Sequence, residues 1–555
     1  MASHYIGIDL GTTESTISCI SFEGRRKTDP IDKLKPLNIY QFNKSYRFEK
    51  DLIGLQSSIF IDRNAKRIYT GEYAKDLYSK GDKPLQTIRS VKTRIGTESL
   101  IQVPIASNNT TDMQSFGMTE LSALLLKTIK ASMDQQISSK DIVDITITIP
   151  AAFNSDERNA TIEAATLAGL KNVHMLDEPT AVLLSYLNSE ELGSSLEFTK
   201  SKNILVYDIG GGTLDISIAN VVDNEGDYDV NILGRSPRMD FGGDDIDKYI
   251  ASYFLHEFEK INPSIEARAQ DTQAQIVSRI VSHAEIAKIE FNTKISPYLT
   301  NERRRGKVKQ SVNFEVADGL NITDLSLTDE TLKNILFNLV GPEGKLIIPV
   351  KSVLTYAKLK QSDIDLIVLT GGSGKFYLIK ETLLKYFNDS VDILEYTETS
   401  AVSKGAAIHS YNQTEEGLKK ININDLMSDN IYIKREQKFD ELVSSRTAPN
   451  TKGTYEYKFE KLSNRLEVFL YHGSENEESY KYKEITGTFK ELDKVYDKGD
   501  KLTISWELDE NKILHIYYDG QILVNTINES DSGRSLINDF ILNEGKVSNI
   551  EYLKS

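Results

Sequence analysis

The chain has 555 residues, more than a single hydrophobic core usually serves, so two or three domains are expected. Its charged fraction of 27% is ordinary for a globular protein, and its formal net charge of −16 argues against a general binder of nucleic acids or anionic membranes. No apolar run predicts a membrane span or a signal peptide, and the single cysteine, Cys19, excludes an intrachain disulfide, so a cytoplasmic location is expected.

The first predicted element is an N-terminal hairpin, in which one apolar run ends at Asp9 and a second begins after a short turn. The turn consists of Gly11, Thr12, Thr13 and Glu14. Glycine lets backbone N–H groups close around a phosphate chain, and a carboxylate such as Asp9 holds Mg²⁺ through its waters. Alone, this pattern also describes an ordinary glycine-containing hairpin.

Helices and a buried strand are predicted in the region that follows. Apolar residues at helical spacing predict a helix over 118–133, and a continuous apolar run predicts a buried strand over 142–149. A second helix is predicted over about 156–168, with Ser155 or Asp156 as its N-cap.

A second hairpin then repeats the plan of the first. An apolar run ends at Asp208, and Asp215 lies in the next apolar run. The turn between them consists of Gly210, Gly211, Gly212 and Thr213. A third glycine turn, Gly371-Gly372-Ser373, follows a later apolar strand. This repetition indicates a duplicated fold with a nucleotide in the cleft between its halves.

Together, the three turns resemble the actin, sugar-kinase and heat-shock ATPase superfamily, and in particular the DnaK family of seventy-kilodalton heat-shock chaperones (Hsp70). Six further segments carry the same resemblance: 87–96, 150–158, 176–181, 240–247, 284–292 and 397–409. The resemblance implies an α/β fold, with an actin-like two-lobed ATPase domain and a nucleotide cleft over 1–412. It also implies a linker over 413–424 and a divergent, substrate-binding antiparallel β-sandwich over 425–555, with the helical lid absent or truncated.

The same resemblance implies ATP or ADP with Mg²⁺ as cofactors, and K⁺ as a further candidate ion. The implied metal carboxylates are Asp9 and Asp208, and Lys92 and Glu178 would order the attacking water. The implied catalytic residues are Lys92, Glu178, Asp208, Thr213 and Asp215. Besides the turn residues Gly11 to Glu14 and Gly210 to Thr213, the implied nucleotide-binding residues are Gly243, Asp244, Glu285, Lys288, Asn292, Gly371, Gly372, Ser373 and Lys375.

The C-terminal part shows alternating apolar and polar residues. Such a pattern predicts antiparallel strands with one buried face. The predicted strands are 453–459, 465–471, 502–508 and 513–517. Their resemblance to the family's peptide-binding sandwich is weak, and too few residues follow the last strand for the family's long helical lid.

The implied function is an ATP-dependent chaperone that binds unfolded or extended peptide segments, with a J-domain co-chaperone and a nucleotide exchange factor as candidate partners. Neither nucleic acid nor membrane is expected as a partner. His174 replaces the arginine with which the family meets J-domain proteins, and the linker is poor in apolar residues. An alternative is a nucleotide-switched regulatory or scaffold protein whose sandwich binds one dedicated partner. A small-molecule kinase of the same superfamily is a third reading.

Overall fold

The computed structural model places most of the chain in helices and strands. The described residues are 2–23, 33–62, 67–97, 99–106, 109–189, 201–224, 227–237, 239–262, 264–317, 319–414, 421–424, 427, 430–435, 438–445, 447–473, 483–524 and 546–547. None of the helices found in these ranges combines the length and the apolar character that a membrane crossing requires.

The N-terminal part of the chain is built on a mixed sheet, here called the first-lobe sheet. The N-terminal strand Ala2–Asp9 lies at its centre, and its apolar segment from Tyr5 to Ile8 is buried on both faces. It pairs antiparallel with Glu14–Glu23 across the predicted turn and parallel with Ile142–Ile149. The complete order is Val173–Asp177, Ile142–Ile149, Ala2–Asp9, Glu14–Glu23 and Leu34–Pro36, with Gly54–Gln56 also paired to Glu14–Glu23.

A second sheet, the second-lobe sheet, repeats this arrangement. Its central hairpin pairs Ser201–Ile209 with Leu214–Asn224, and Asp208 lies opposite Asp215 in the register. The strand Leu366–Thr370 runs parallel to Ser201–Ile209, as Ile142–Ile149 does to the N-terminal strand. The complete order is Asp392–Glu395, Leu366–Thr370, Ser201–Ile209, Leu214–Asn224, Asp227–Arg235 and Ile421–Asn424. The shared strand order explains why the two glycine turns are alike, and the mixed α/β architecture agrees with the predicted fold class.

Helices cover these sheets. The predicted helices over 118–133 and 156–168 correspond to Met118–Asp134 and Ser155–Ala168. The α-helices are Glu72–Ser79, Met118–Asp134, Ser155–Ala168, Glu178–Leu187, Gly243–Glu259, Gln270–Ile295, Glu302–Arg305, Asp329–Ile335, Phe337–Val340, Ile348–Ala357, Tyr377–Tyr386 and Ala401–Thr414. Short 3₁₀ turns include Val91–Arg94, which carries Lys92, and Gly372–Lys375.

Smaller sheets lie at the edges of the lobes. They consist of Leu100–Ala106 with Asn109–Gly117, Gln310–Ala317 with Leu320–Leu327, Ile39–Phe42 with Phe48–Leu52, and Ser58–Asp62 with Arg67–Thr70, Thr87–Arg89 and Lys546–Val547.

One expectation about the helix Ser155–Ala168 is wrong. Its N-cap is Asn154, whose Oδ1 accepts hydrogen bonds from the backbone N–H of Asp156 at 2.9 Å and of Glu157 at 3.1 Å. Glu157 accepts in return from the Asn154 N–H at 2.9 Å, which completes a capping box. Ser155 and Asp156, the two predicted caps, are already inside the helix. Asparagine is as good a cap as serine, so the sequence alone did not distinguish them.

The C-terminal part forms two four-stranded antiparallel sheets, here called the C-terminal sheet pair. One sheet has the order Lys438–Val443, Asn430–Arg435, Ser463–Gly473 and Lys483–Tyr496, and the other has Thr451–Lys458, Lys501–Leu508, Leu514–Tyr518 and Gln521–Val524. Inward residues of both sheets, including Ile433, Val468 and Ile504, belong to one buried cluster. The four stretches with period-two alternation therefore are strands, as predicted.

The predicted linker contains regular structure. The helix Ala401–Thr414 extends into it, and Ile421–Asn424 pairs as a parallel edge strand with Asp227–Arg235 of the second-lobe sheet. Residues 415–420 lie outside the described residues. The predicted lack of a lid concerns residues 525–555, of which only 546–547 are described.

Cys19 lies on the strand Glu14–Glu23 and is fully buried. Burial raises the pKa of its thiol to about 11, so the thiol stays protonated at neutral pH. This agrees with its interpretation as a small core residue.

Candidate nucleotide site

A cleft between the two lobes carries the predicted site residues. It encloses a cavity of about 500 Å³, lined by both glycine hairpins and by the helix Gln270–Ile295. Asp9 reaches it from the first-lobe sheet and Asp208 from the second-lobe sheet. The structure therefore brings the ends of two hairpins, which are about two hundred residues apart in sequence, to one place.

The glycine turns of the hairpins face each other across this cleft. A Cβ atom added to Gly212 would lie 2.6 Å from the methyl carbon of Thr12, and one added to Gly211 would overlap the side chain of Thr13. A third element, the start of the helix Gly243–Glu259, packs on the second turn. The Asp244 N–H donates to the Gly211 carbonyl at 2.7 Å. Only residues without a side chain allow backbone donors to come this close, which suits a phosphate chain.

Lys92 and Glu178 form a buried ion pair at the base of the cleft. Lys92 comes from the 3₁₀ turn Val91–Arg94, and Glu178 is the first residue of the helix Glu178–Leu187. Although burial opposes a charge on Lys92, the carboxylates of Glu178 and Asp9 raise the pKa of its ammonium. Lys92 therefore remains a cation at the point where a transferred phosphoryl group would need positive charge.

Acidic groups outnumber the cation at this point. Burial and the nearby charge of Glu178 raise the pKa of Asp9 and of Asp215 to about 7 each, while Lys92 lowers both. Burial and the charges of Glu178 and Asp215 raise the pKa of Asp208 well above its usual value. A bound divalent cation would relieve the repulsion among these carboxylates and favour their ionised forms.

The arrangement of the carboxylates suits magnesium better than it suits a metal ion whose ligands are all protein side chains. Within the described ranges, no group of three or more His, Cys, Asp or Glu side chains converges on a common metal position. Among the carboxylates that line the cavity, Asp9 and Asp208 lie at the ends of the central strands of the two lobes, and Mg²⁺ usually completes its shell with water and substrate phosphate oxygens. The residues present therefore fit Mg²⁺ that arrives with a nucleotide.

Two ion pairs border the far side of the cavity. Lys288 Nζ lies 2.8 Å from Asp247 Oδ1, and Lys75 Nζ lies 2.9 Å from Glu285 Oε1. The second pair joins the helices Glu72–Ser79 and Gln270–Ile295, which belong to different lobes. The Lys75–Glu285 pair therefore bridges the two lobes at this side of the cleft.

Asn292 holds a turn rather than presenting a free amide. Its Nδ2 donates to the Lys375 carbonyl and its Oδ1 accepts from the Tyr377 N–H, both at 2.8 Å. Ser373 Oγ donates to the Gly210 carbonyl at 2.9 Å and so joins the second and third glycine turns.

The structure places nearly all of the predicted site residues on this cavity. Those that line it are Asp9, Thr12, Thr13, Glu14, Lys92, Glu178, Asp208, Gly210, Gly211, Thr213, Gly243, Asp244, Glu285, Lys288, Asn292, Gly371, Gly372, Ser373 and Lys375. Three do not line it. Gly11 and Gly212 lie within the turns, and the buried Asp215 accepts a hydrogen bond from the Ala151 N–H at 3.1 Å, directly after Pro150.

Several lining residues were not predicted. Lys75 and Gln56 carry no motif, and long-range packing brings them to the cleft, whereas Thr370 and Phe376 directly flank the predicted residues of the third glycine turn. Asp247 is the last residue of the segment 240–247, which carries the family resemblance, so it could have been predicted as a site residue from the sequence.

A second cavity of about 410 Å³ lies on the C-terminal sheet pair. Aromatic side chains and basic groups line it, among them Tyr457, Phe459, Phe469, Arg435 and Arg465. Arg435 forms ion pairs with Asp440 and Glu460. The cavity therefore combines an apolar floor with a charged border.

The chain was compared with known protein families and with curated proteins. The model of the family described as "Hsp70 protein" matches residues 63–530. Chaperone protein DnaK of Thermosipho melanesiensis is 29% identical over 422 residues, which cover 73% of this chain and 59% of the relative. Chaperone protein dnaK of Cyanophora paradoxa is 30% identical over 419 residues, which cover 73% of this chain and 60% of the relative.

The chain thus spans about three fifths of the length of the curated relatives it matches. The family match, in contrast, covers most of the chain. It begins after the first hairpin and includes Lys92, the second hairpin and most of the C-terminal sheet pair. On this evidence the chain belongs to the Hsp70 family.

Proposed function

We propose that the cleft binds Mg–ATP and hydrolyses it. The observation that carries this proposal is the convergence of two glycine turns, two carboxylates and the Lys92–Glu178 pair on one cavity. Phosphoryl transfer needs backbone donors for the phosphates, charge stabilisation and a positioned water, and these groups supply all three.

Each group has a distinct role in this proposal. The turns at Gly11 and Gly210 cradle the phosphates, and Thr13 and Thr213 add hydroxyl groups. Mg²⁺, held by Asp9 and Asp208, would neutralise charge on the phosphate chain. Lys92 stabilises the charge that develops during transfer, and Glu178 orients the attacking water.

Asp215 lies opposite Asp208 in the hairpin register, just outside the cavity lining. Its pKa of about 7, raised by burial and by Glu178, makes it a suitable proton acceptor near neutral pH. Because Asp215 also accepts from the backbone beside Pro150, a change at the phosphate would reach the segment 150–158.

The nucleoside would occupy the side of the cleft formed by the helix Gln270–Ile295. Glu285 and Lys288 of this helix would contact it together with the turn 371–375. The partly exposed Ile289 also lines the cavity there and offers an apolar surface for a base.

We further propose that hydrolysis controls the binding of extended peptide segments by the C-terminal sheet pair. Family membership supports a chaperone function, and the aromatic cavity around Tyr457 and Phe459 supports a peptide site. In this proposal residues 1–412 form the nucleotide-binding domain, and residues 425–555 form a peptide-binding β-sandwich.

A peptide panel tests the chaperone function. Unrelated unfolded peptides are titrated against the full chain with and without Mg–ATP, by fluorescence anisotropy. Release of many sequences by ATP supports the chaperone function. Binding of one folded protein, with no competition by the panel, contradicts it and favours a nucleotide-switched scaffold.

A further inference from the structure

Asn292 is the one carboxamide that the helix Gln270–Ile295 presents to the cleft. An asparagine recognises adenine by offering one donor and one acceptor of its amide to the edge of the base. Here the amide spends such a pair on the protein, because Nδ2 donates to the Lys375 carbonyl and Oδ1 accepts from the Tyr377 N–H, both at 2.8 Å. Asn292 therefore holds the turn 371–376 instead of reading a base.

The backbone of this turn is also engaged in internal hydrogen bonds. The Gly374 N–H donates to the Gly371 carbonyl at 3.1 Å. The Phe376 N–H donates to the Ser373 carbonyl at 2.9 Å. Since the Lys375 carbonyl accepts from the asparagine amide, three carbonyls of the turn already have partners. The turn thus offers few backbone groups to the edge of a base.

The polar groups that remain on the cavity wall do not distinguish adenine from guanine. Thr397 and Thr399 line the cavity, and a hydroxyl both donates and accepts, so it bonds to the amino group of adenine or to the carbonyl of guanine. Lys375 lines the cavity too, and its ammonium only donates. Guanine presents two acceptors on its N7 and O6 side, whereas adenine presents one, so this ammonium does not exclude guanine.

An apolar side chain provides a contact surface for the ring itself. Ile289 lies on the same helix, lines the cavity and is 54% exposed. A base that covers this side chain removes apolar surface of both partners from water, and the free energy gained depends on the area covered. Adenine, guanine and hypoxanthine share one bicyclic shape, so they cover similar areas.

We propose that the cleft recognises the face of a purine base and not its hydrogen-bonding edge, so that GTP and ITP are substrates alongside ATP. This inference rests on the proposed binding and hydrolysis of nucleotide. Ile289 contacts the base, and Asn292 is a positioning residue that holds the turn 371–376. A site that hydrogen-bonds a substrate group rejects analogues without that group by about 10⁴–10⁵, whereas an apolar pocket separates similar ligands by only about 10–200-fold.

Calorimetry on the full chain compares four magnesium nucleotides: ATP, GTP, ITP and CTP. The three purine nucleotides are expected to bind with affinities within about tenfold of one another. Mg–CTP is expected to bind more weakly than each of them, because its single ring covers less apolar surface. Single-turnover hydrolysis of saturating Mg–GTP should proceed within about threefold of the rate with Mg–ATP, since the phosphate chain meets the same groups.

Two variants and a matched control assign the residues. Ile289→Ala should weaken all three purine nucleotides by a common factor of about three to ten, because apolar contact with the ring is lost. Ile286→Ala is the control, since Ile286 is 47% exposed on the same helix and does not line the cavity, so its affinities should equal those of the wild type. Asn292→Ala loosens the turn and should weaken ATP and GTP equally.

The outcomes separate this inference from the proposed function. A preference of the wild-type chain for ATP over GTP or ITP by more than about tenfold overturns face recognition, while the proposed hydrolysis of ATP stands. A changed ratio of ATP to GTP affinity in Asn292→Ala shows that Asn292 reads the base, and it also overturns the inference. Equal losses in Ile286→Ala and Ile289→Ala overturn the contact assigned to Ile289. If the wild-type chain binds none of the four nucleotides, the proposed function fails and this inference with it.

Discussion

Replacement of Lys92 by alanine is the most direct test of the candidate site. The substitution removes the ammonium that pairs with Glu178 and that lowers the pKa of both Asp9 and Asp215. The glycine turns and the carboxylates that face Mg²⁺ stay in place. We therefore expect Lys92→Ala to bind Mg–ATP but to hydrolyse it slowly, because Lys92 acts mainly on the charge that develops during transfer.

The expected size of the effect follows from the burial of this pair. Loss of one preorganised donor in a water-excluded site costs about 3–4 kcal/mol of transition-state stabilisation, which is a factor of about 10²–10³ in rate. The unpaired, buried Glu178 should also destabilise the nucleotide-free protein, since breaking a buried pair costs about 3–5 kcal/mol. Lys75→Ala provides a contrast. Its pair with Glu285 is partly exposed and lies at the nucleoside side, so affinity should change more than rate.

The assay combines two measurements on the same preparations. Isothermal calorimetry gives the affinity for Mg–ATP, and single-turnover hydrolysis gives the rate of the chemical step without product release. A rate in Lys92→Ala within about threefold of wild type, at saturating Mg–ATP, would refute the role of Lys92. A rate loss in Lys75→Ala as large as that in Lys92→Ala would show that the two ends of the cleft are not separable.

Three further predictions concern the cleft and its surroundings. Gly371→Ala should weaken ATP binding at least about tenfold, because φ is +82° and an added Cβ would overlap a backbone carbonyl. Gly306→Ala is the calorimetric control, because its φ is −64° and an added Cβ makes only an ordinary van der Waals contact. Asp208→Asn should weaken ATP binding only when Mg²⁺ is present, and an unchanged magnesium titration would contradict its role. His174→Gln should lower the urea midpoint at pH 5.5 more than at pH 8.5. The hydrogen bond to Asp144 raises the pKa of His174, so its stabilisation is complete below the unfolded value of about 6.5 and disappears as pH rises through the raised folded value. Equal midpoint shifts at both pH values would contradict this account.

Local sequence patterns predicted the hairpins well, for a physical reason. A strand buried on both faces must be apolar throughout, and a close backbone approach requires glycine, so Asp208 and its turn are visible in the sequence. The same holds for the period-two strands such as Ser463–Gly473, each of which has one buried face.

Contacts between distant residues could not be predicted in this way. Lys75 meets Glu285 across 210 residues, and Lys512 meets Asp177 across 335 residues. Nothing in the local spacing marks either lysine as buried or paired. Asp177 directly precedes a helix, so its sequence position predicts an ordinary N-cap. Its ion pairs with several cationic side chains are not predictable from that position.

The short edge strand Ile421–Asn424 has a mechanical consequence. It attaches the start of the C-terminal part to the second lobe by strand pairing, while the turn with Lys512 contacts the first lobe through an ion pair with Asp177. A further tether joins Tyr356 Oη and Ser445 Oγ at 3.0 Å. The C-terminal part thus contacts both lobes that border the cleft. Any rotation that moves the lobes apart must therefore distort the C-terminal sheets or break their contacts with one lobe. Opening of the cleft and release of the sheets are thus mechanically coupled.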